Sequence, residues 1–138
     1  MPRSPDEEPL SVVEATFDDV RKLAALFREA AEAAGLQERV QLDCELALVE
    51  AANNIVEHGY AGTTGGKISF GLAIVPAEVR MELRDQGKPV PSGQFSKCQQ
   101  FELDAPDGRG TTIIQSCIDQ IGYRTEHGEN RLVMIKQL

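Results

Sequence analysis

The chain has no tryptophan, and its only aromatic residues are five phenylalanines and two tyrosines among 138 residues. Aliphatic and alanine side chains must therefore supply most of the core. The sequence also lacks an apolar run of about 20 residues, which a membrane-spanning helix needs. Residues 1–9 contain no apolar segment typical of a signal peptide. We therefore expect a soluble, cytoplasmic protein that has no membrane partner.

Cysteine and basic residues are also scarce. The three cysteines, Cys44, Cys98 and Cys117, are far apart and include no Cys-x-x-Cys pair, so neither a disulfide framework nor a zinc site is expected. Lysine and arginine together number 14, against 22 acidic residues, which gives a formal charge of −8. Because nucleic acids bind basic surfaces, this excess of acid argues against direct nucleic-acid binding.

The length suits one domain with a modest core. We expect a flexible, Pro- and acid-rich tail over residues 1–9, followed by a single domain over 10–138. Apolar residues at three- and four-residue steps predict a first helix that begins after Thr16, a residue type preferred at the N-cap, and ends at Gly35. A second helix is predicted over 38–57. Its apolar stripe is predicted to contain Leu42, Leu46, Val49 and Val56, and Asn53 lies on the same stripe, which favours a structural role for it.

The remaining elements are mainly strands. Strands are predicted over 10–15, 67–75, 78–84, 121–125 and 131–137, with a loop over 86–106 and a helix over 110–119. In the third strand Val79, Met81 and Leu83 alternate with charged residues, so this strand should have one buried face. A loop as long as the one over 86–106 is typical of a functional lid. The element order predicts an α+β two-layer sandwich, with a mixed, mostly antiparallel sheet and helices on one face.

The first candidate site lies in the second predicted helix. Glu50 and Asn54 are four residues apart, so they share one helical face, one turn apart. Ala47 and Ala51 share that face, and their small side chains would leave space for a ligand. An Asn oxygen is a hard ligand that suits Mg²⁺, and a Glu one turn earlier can act as a base near a phosphate. The alternative is an ordinary surface helix, in which Glu50 and Asn54 are polar residues without a functional role.

The second candidate site lies at the end of the third predicted strand. Asp85 follows the strand and precedes Gly87 and Pro89. A carboxylate in a pocket can accept a hydrogen bond from the exocyclic amine of adenine, while a glycine lets the ring approach the backbone. The alternative is a simple turn, because Asp and Gly are common turn residues.

The third candidate site, Asp107-Gly108-Arg109-Gly110, opens the last predicted helix. Exposed N–H groups at a helix N-terminus favour phosphate, and Arg109 would add a direct contact. The alternative is a Gly-rich loop that only leads into a helix. The segment is not a Walker-type P-loop, because Gly-x-x-x-x-Gly-Lys-Ser/Thr is absent, and no strand leads directly into it as in a Rossmann fingerprint.

Taken together, these segments resemble the GHKL-type ATPases, which include gyrase, heat-shock chaperone, histidine kinase and mismatch-repair ATPase domains. The chain is most similar to the small bacterial anti-sigma factor serine-protein kinases of partner-switching systems. The resemblance rests on residues 50–60, 83–89 and 108–110, on Ile113-Ile114, and on the terminal segment 128–136. It covers nearly the whole chain after the tail.

The resemblance implies roles for individual residues. Glu50 would be the catalytic base, Asn54 the Mg²⁺ ligand, and Asp85 and Gly87 the adenine site of bound ATP. The phosphates would be surrounded by Gly108, Arg109, Gly110 and Thr111. Thr111 and Thr112 stand where this family usually has a large apolar residue, so their hydroxyls either add phosphate contacts or mark an altered lid closure.

The resemblance also implies an activity and partners. The expected protein is an ATP-dependent serine kinase that holds a sigma factor inactive and phosphorylates a small antagonist protein on serine. A homodimer is also expected, because the first strand could leave an exposed sheet edge for pairing. The alternative is a non-catalytic ATP-binding module that only sequesters its partner. A third reading is a structural adaptor that binds no nucleotide.

Overall fold

The computed structural model describes residues 11–61, 63–90 and 113–138. The elements in chain order are β1 (Ser11–Glu14), α1 (Phe17–Ala33), α2 (Glu38–Asn54), a π-helix (Ile55–Gly59), β2 (Lys67–Val75), β3 (Glu78–Asp85), α3 (residues 113–117), β4 (Gln120–Glu126) and β5 (Glu129–Gln137). The predicted tail, most of the predicted loop and the Asp107–Gly110 segment lie outside the described residues. No helix in the described ranges is long and apolar enough to cross a bilayer.

The strands form one five-stranded sheet in the order β1-β2-β3-β5-β4. All four described pairings are antiparallel, so the parallel component expected of a mixed sheet is not among them. The β4–β5 hairpin turns at His127 and Gly128, whose φ angles of 54° and 77° suit the twist of a two-residue hairpin. The helices pack on one face of this sheet, which confirms the predicted α+β two-layer sandwich.

Helix α1 begins and ends where its sequence predicts. Thr16 has extended backbone angles, and its hydroxyl accepts a hydrogen bond from the Asp19 N–H at 3.1 Å. The Asp19 carboxylate accepts the Glu14 N–H at 2.9 Å, which ties the end of β1 to the first turn of the helix. Gly35 follows the helix with a φ of 71°, a left-handed conformation that glycine adopts without strain.

The core lies between the helices and the sheet and is largely aliphatic. Its two largest fully buried side chains are Phe27 of α1 and Phe70 of β2. The other buried hydrophobic residues include Leu23, Leu48, Ile68, Val79, Met81, Leu83, Ile114, Leu132 and Met134. Cys44 and Cys117 are also buried as free thiols, and burial raises the pKa of Cys44 to about 12.

The apolar stripe predicted for α2 is wrong in part. Leu42 and Leu46 are 61% and 44% exposed. The buried face of α2 consists of Cys44, Ala47, Leu48, Ala51 and Ala52. Small residues on this face let the helix approach its neighbours closely, and because Ala and Cys are only weakly hydrophobic, the face is not evident from the apolar pattern. Ala47 and Ala51 therefore pack in the core, and they do not leave space for a ligand.

The polar face of β3 is more buried than its alternating apolar and charged residues predict. Val79, Met81 and Leu83 are fully buried as predicted, but Glu82 on the opposite face is only 1% exposed. Its Oε1 accepts from Arg84 Nε at 2.8 Å and also from Arg131 Nε. A paired carboxylate covered by arginine side chains is thus compatible with burial on a sheet face that carries no described helix.

The orientation of α2 can be tested with two opposite substitutions. Ala47→Leu should destabilise the protein by about 1–3 kcal/mol, because it overpacks a closed core. Leu42→Ala should cost less than about 0.5 kcal/mol, because it changes an exposed surface. Urea unfolding of both variants measures the difference. A loss of about 2–5 kcal/mol for Leu42→Ala, as expected for a buried leucine, would contradict this orientation.

Candidate functional site

A cavity of about 520 Å³ lies where the π-helix, the start of β2 and the end of β3 meet. This volume lies in the range of small-molecule sites in proteins. The described lining residues are Gly59, Tyr60, Thr63, Thr64, Gly65, Gly66, Lys67, Ser69, Arg84, Asp85, Gln86, Gly87, Lys88 and Glu129. Two of the residues selected from the sequence, Asp85 and Gly87, are therefore together at one cavity.

Asp85 is the last residue of β3 and is only 7% exposed. Its Oδ1 accepts hydrogen bonds from the Gly87 N–H and from Asn130 Nδ2, both at 2.9 Å. Within the described residues, Oδ2 has no recorded hydrogen-bond donor. One oxygen therefore holds the carboxylate in place while the other remains available to a donor from a ligand.

Asn130 fixes Asp85 in this orientation. It is 1% exposed and lies directly opposite Asp85 in the pairing of β3 with β5. Its Nδ2 donates to Asp85 Oδ1 and, at 2.8 Å, to the carbonyl oxygen of Gly87, while its Oδ1 accepts from the Thr125 hydroxyl at 2.7 Å. Such a fully bonded buried amide specifies a single geometry. Sequence reasoning missed this role, because it depends on the pairing of two strands that are distant in the chain.

The surroundings of Asp85 disfavour its charged form. Burial raises the pKa of this carboxyl above its usual value, the hydrogen bonds from Asn130 and Gly87 act in the opposite direction, and the charge of Glu129 raises it further. The net effect is a raised pKa, because desolvation is the largest of these causes. A buried carboxyl with a perturbed pKa beside a cavity is typical of a functional site.

Gly87 is required by a close backbone contact. A Cβ at this position would lie 2.5 Å from the carbonyl oxygen of Gly59, which is too close for any side chain. That same oxygen accepts the Lys88 N–H at 2.6 Å. The end of β3 is thereby held against the end of the π-helix. Gly87 lines the cavity, and the contact that excludes a side chain there is with the protein's own backbone.

The π-helix replaces the last turn of the α-helix predicted over 38–57. Regular α-geometry ends at Asn54, and Ile55–Gly59 continue with one wider turn. The Tyr60 N–H closes this turn on the Ile55 carbonyl oxygen at 3.0 Å. Single π-turns are frequent at functional sites. Here the turn places the Gly59 carbonyl oxygen against Lys88 and Gly87.

The other predicted site residues are not among those described around this cavity. Glu50 and Asn54 lie one turn apart near the end of α2, half-buried, and neither is a described lining residue. Gly108, Arg109, Gly110 and Thr111 lie outside the described residues. The described part of the chain contains no group of three or more His, Cys, Asp or Glu side chains suited to a metal. The Asn54 amide oxygen nonetheless has the donor chemistry that Mg²⁺ prefers, with water and ligand oxygens as the remaining partners.

Fold and cavity together define a two-layer α+β domain with a positioned carboxylate at the end of an inner strand. The chain belongs to the histidine kinase-like ATPase domain family, whose pattern matches residues 13–136. This match confirms the resemblance to the GHKL-type ATPases. The cavity therefore lies within a domain of the ATPase type.

Two curated relatives carry the name anti-sigma F factor, in agreement with the narrower resemblance seen in the sequence. The protein from Clostridium acetobutylicum is 26% identical over 99 residues, which cover 69% of this chain and 68% of the relative. The protein from Geobacillus stearothermophilus is 27% identical over 92 residues, covering 64% and 62%. The second alignment thus spans less than two thirds of its relative.

Solved structures support the fold. The RsbU and RsbW domains of Rv1364c from Mycobacterium tuberculosis match with a TM-score of 0.63 and 21% identity, over 95% of this chain and 32% of that chain. The nucleotide-free catalytic domain of histidine kinase ThkA matches with a TM-score of 0.56 and 16% identity, over 93% and 96%. The chain therefore corresponds to about a third of the mycobacterial protein and to nearly all of the ThkA domain.

The raised pKa of Asp85 predicts a dependence of stability on pH. The folded protein holds this proton more tightly than the unfolded chain, so the stabilising effect is complete below the unfolded pKa and is lost as pH rises through the folded pKa. Asp85→Asn keeps an oxygen acceptor for Gly87 and Asn130 and removes this titration. The melting temperature of Asp85→Asn should therefore rise relative to that of the wild type between pH 4 and pH 7.5. A constant difference across this range would contradict the raised pKa.

Proposed function

We propose that this protein is an ATP-dependent serine-protein kinase and anti-sigma factor, which sequesters a sigma factor and phosphorylates a small antagonist protein on serine. The observation that carries the proposal is the Asp85 carboxylate, which has one oxygen fixed and one available at a cavity of about 520 Å³. The membership of the ATPase family and the names of the two curated relatives support it.

In this proposal the adenine ring of ATP lies in the cavity, and its exocyclic amine donates to Asp85 Oδ2. Gly87 keeps the adjoining backbone close to Gly59, so a flat ring can enter beside it. The phosphates extend toward Gly108, Arg109, Gly110 and Thr111, whose assignment rests on the family resemblance. Lys88 is exposed at the cavity and adds a positive charge to its rim.

Asn54 would hold Mg²⁺ through its amide oxygen, and the bound ion would neutralise charge on the ATP phosphates. Its place at the end of α2, next to the π-helix that contributes Gly59 to the cavity, supports this role. A single protein ligand is adequate, because Mg²⁺ in nucleotide sites keeps several water and phosphate oxygens.

Glu50 would act as the catalytic base, one helical turn before Asn54. It accepts the proton of the substrate serine hydroxyl as that oxygen forms a bond to the γ-phosphorus of ATP. The bond from the γ-phosphorus to the bridging oxygen breaks, and ADP leaves with the electron pair. Catalysis of this kind depends mainly on positioning and on stabilisation of charge.

The proposed partners are a sigma factor, the antagonist protein and a second copy of this chain. The names of the curated relatives support the sigma factor. Strand β1 is at one edge of the sheet, and its Val12 is 55% exposed, which supports pairing between two copies. A role with a sigma factor would require the cytoplasmic location expected from the sequence.

A non-catalytic ATP-binding module that only sequesters its partner is the alternative. One observation favours it: Glu50 is not among the described lining residues of the cavity. Such a module would keep Asp85 and Gly87 and transfer no phosphate. Only the kinase would transfer phosphate to the antagonist protein, so a transfer assay separates the two functions.

ATP binding can be tested first by thermal unfolding. A ligand present at a hundred times its dissociation constant stabilises a protein by roughly 2.7 kcal/mol. Mg-ATP should therefore raise the melting temperature of the wild type at pH 7.5. Asp85→Asn should abolish most of this rise, because the exocyclic amine of adenine would then face the amide NH₂ group of Asn, and two donors do not form a hydrogen bond. An equal rise in both proteins would contradict the role of Asp85, and no rise in the wild type would favour the structural adaptor.

The catalytic role of Glu50 can be tested by substitution. Glu50→Ala should bind Mg-ATP within about threefold of the wild type but lower transfer at least about a hundredfold, since general bases contribute about 10²–10⁴. Radiolabelled ATP and a co-purified antagonist protein provide the assay. Glu57→Ala is a matched control, because Glu57 is an exposed carboxylate in the adjoining turn. Undiminished transfer by Glu50→Ala would reject the base, and no transfer by the wild type would favour the sequestering module.

A further inference from the structure

The five residues that follow β3, residues 86–90, have no regular secondary structure, yet every N–H group in the segment donates a hydrogen bond. We call this segment the strap. Pro89 has no N–H, and the other four residues all donate. The Gln86 N–H donates to the Tyr60 hydroxyl at 2.7 Å, the Gly87 N–H to Asp85 Oδ1 at 2.9 Å, the Lys88 N–H to the Gly59 carbonyl oxygen at 2.6 Å, and the Val90 N–H to the Tyr123 hydroxyl at 2.8 Å.

The sheet does not supply partners for the strap. The pairings of β3 with β2 and with β5 both end at Asp85, opposite Ile68 and Asn130. Backbone groups beyond that point need other partners or water. Three of the four acceptors lie in parts of the chain that are distant in sequence: the Gly59 carbonyl oxygen and the hydroxyls of Tyr60 and Tyr123. The fourth is the Asp85 side chain at the end of β3, so three side chains and one backbone carbonyl group set the conformation of the strap.

Tyr60 holds the first residue of the strap. Its hydroxyl accepts the Gln86 N–H and donates to the Lys67 carbonyl oxygen at 2.8 Å, so it links the end of β3 to the start of β2. A hydroxyl has one proton to donate, and this contact uses it. The ring lies against Gly66, where a Cβ would be 2.6 Å from two ring carbons. Ring and hydroxyl together leave the side chain one position.

Tyr123 holds the last residue of the strap. It lies on β4, opposite Leu132 of β5, and its hydroxyl accepts the Val90 N–H. Between the two tyrosines, the Gly87 carbonyl oxygen accepts from Asn130 Nδ2 at 2.8 Å. The middle of the strap is thus tied to the same amide that orients Asp85. A displacement at either end would be transmitted to Gly87 and to the carboxylate.

We propose that Tyr60 and Tyr123 are positioning residues for the nucleotide, whose hydroxyls hold the strap in the conformation that points Asp85 Oδ2 into the cavity. The inference rests on the proposed ATP site and adds two residues to it. Removal of the Tyr60 hydroxyl leaves the Gln86 N–H and the Lys67 carbonyl oxygen at exposed positions, and removal of the Tyr123 hydroxyl leaves the part-buried Val90 N–H. The strap then samples more conformations, and ATP binds only the one in which Asp85 Oδ2 is directed into the cavity. The apparent affinity for ATP is therefore lowered.

The first test uses the nucleotide-free protein, so its result does not depend on the proposed function. Tyr60→Phe and Tyr123→Phe keep the rings and remove one hydroxyl each. Amide hydrogen exchange by NMR should show exchange of the Gln86 N–H accelerated at least tenfold in Tyr60→Phe, with Val90 unchanged. Tyr123→Phe should show the reverse. Exchange rates equal to those of the wild type in both variants would overturn the bracing of the strap.

The second test measures affinity by calorimetry. Each substitution should weaken Mg-ATP binding three- to tenfold and leave tripolyphosphate binding unchanged, because tripolyphosphate has no adenine to meet Asp85. Gln41→Leu is the matched control, since it loses a side-chain bond of 2.8 Å to the Leu36 carbonyl oxygen before α2 and away from the strap. Its ATP affinity should be that of the wild type.

The outcomes separate the two claims. If the wild type binds no ATP, the proposed function fails. If the wild type binds ATP and both tyrosine variants bind it equally well, the positioning role fails while the ATP site remains. A parallel loss of ATP and tripolyphosphate affinity would also reject the role, because it would show general damage to the domain. Since the two variants act at opposite ends of the strap, each tests the inference independently.

Discussion

The hydrogen bond between Asn130 Nδ2 and Asp85 Oδ1 is the contact on which the site depends. It crosses from the start of β5 to the end of β3, it is buried, and it leaves the second carboxylate oxygen of this cavity-lining residue without a donor among the described residues. A charged group is costly to bury, and the raised pKa of Asp85 reflects this cost. The protein therefore maintains an energetically unfavourable group in one orientation, which is the expected property of a recognition residue.

The surrounding structure serves to keep that contact in place. The antiparallel register aligns Asp85 with Asn130, and the core residues of β3 hold the strand against the helices. The π-helix sets the Gly59 carbonyl oxygen against the backbone of Gly87 and Lys88. Core packing, strand register and the π-helix thus all act on the end of β3. A change in any of them would alter the direction of the Asp85 carboxylate.

Much of this arrangement could be predicted from local sequence. The Thr16 cap, the hairpin between β2 and β3, and the position of Asp85 at a strand end are set by neighbouring residues, and the structure agrees with each. The buried face of α2 was missed because Ala and Cys give a weak hydrophobic signal. The roles of Asn130, Tyr60 and Tyr123 were missed because their partners are distant in the chain. Such pairings become visible only when the strand order is known.

The most direct test of the account compares ATP with inosine triphosphate, which carries a carbonyl oxygen in place of the exocyclic amine of adenine. If Asp85 Oδ2 accepts from that amine, the wild type should bind Mg-ATP at least about tenfold more tightly than Mg-inosine triphosphate in calorimetry, since an unmatched buried acceptor costs about 1–3 kcal/mol. Asp85→Asn should lose this preference. Equal affinities for the two nucleotides in the wild type would contradict the central claim.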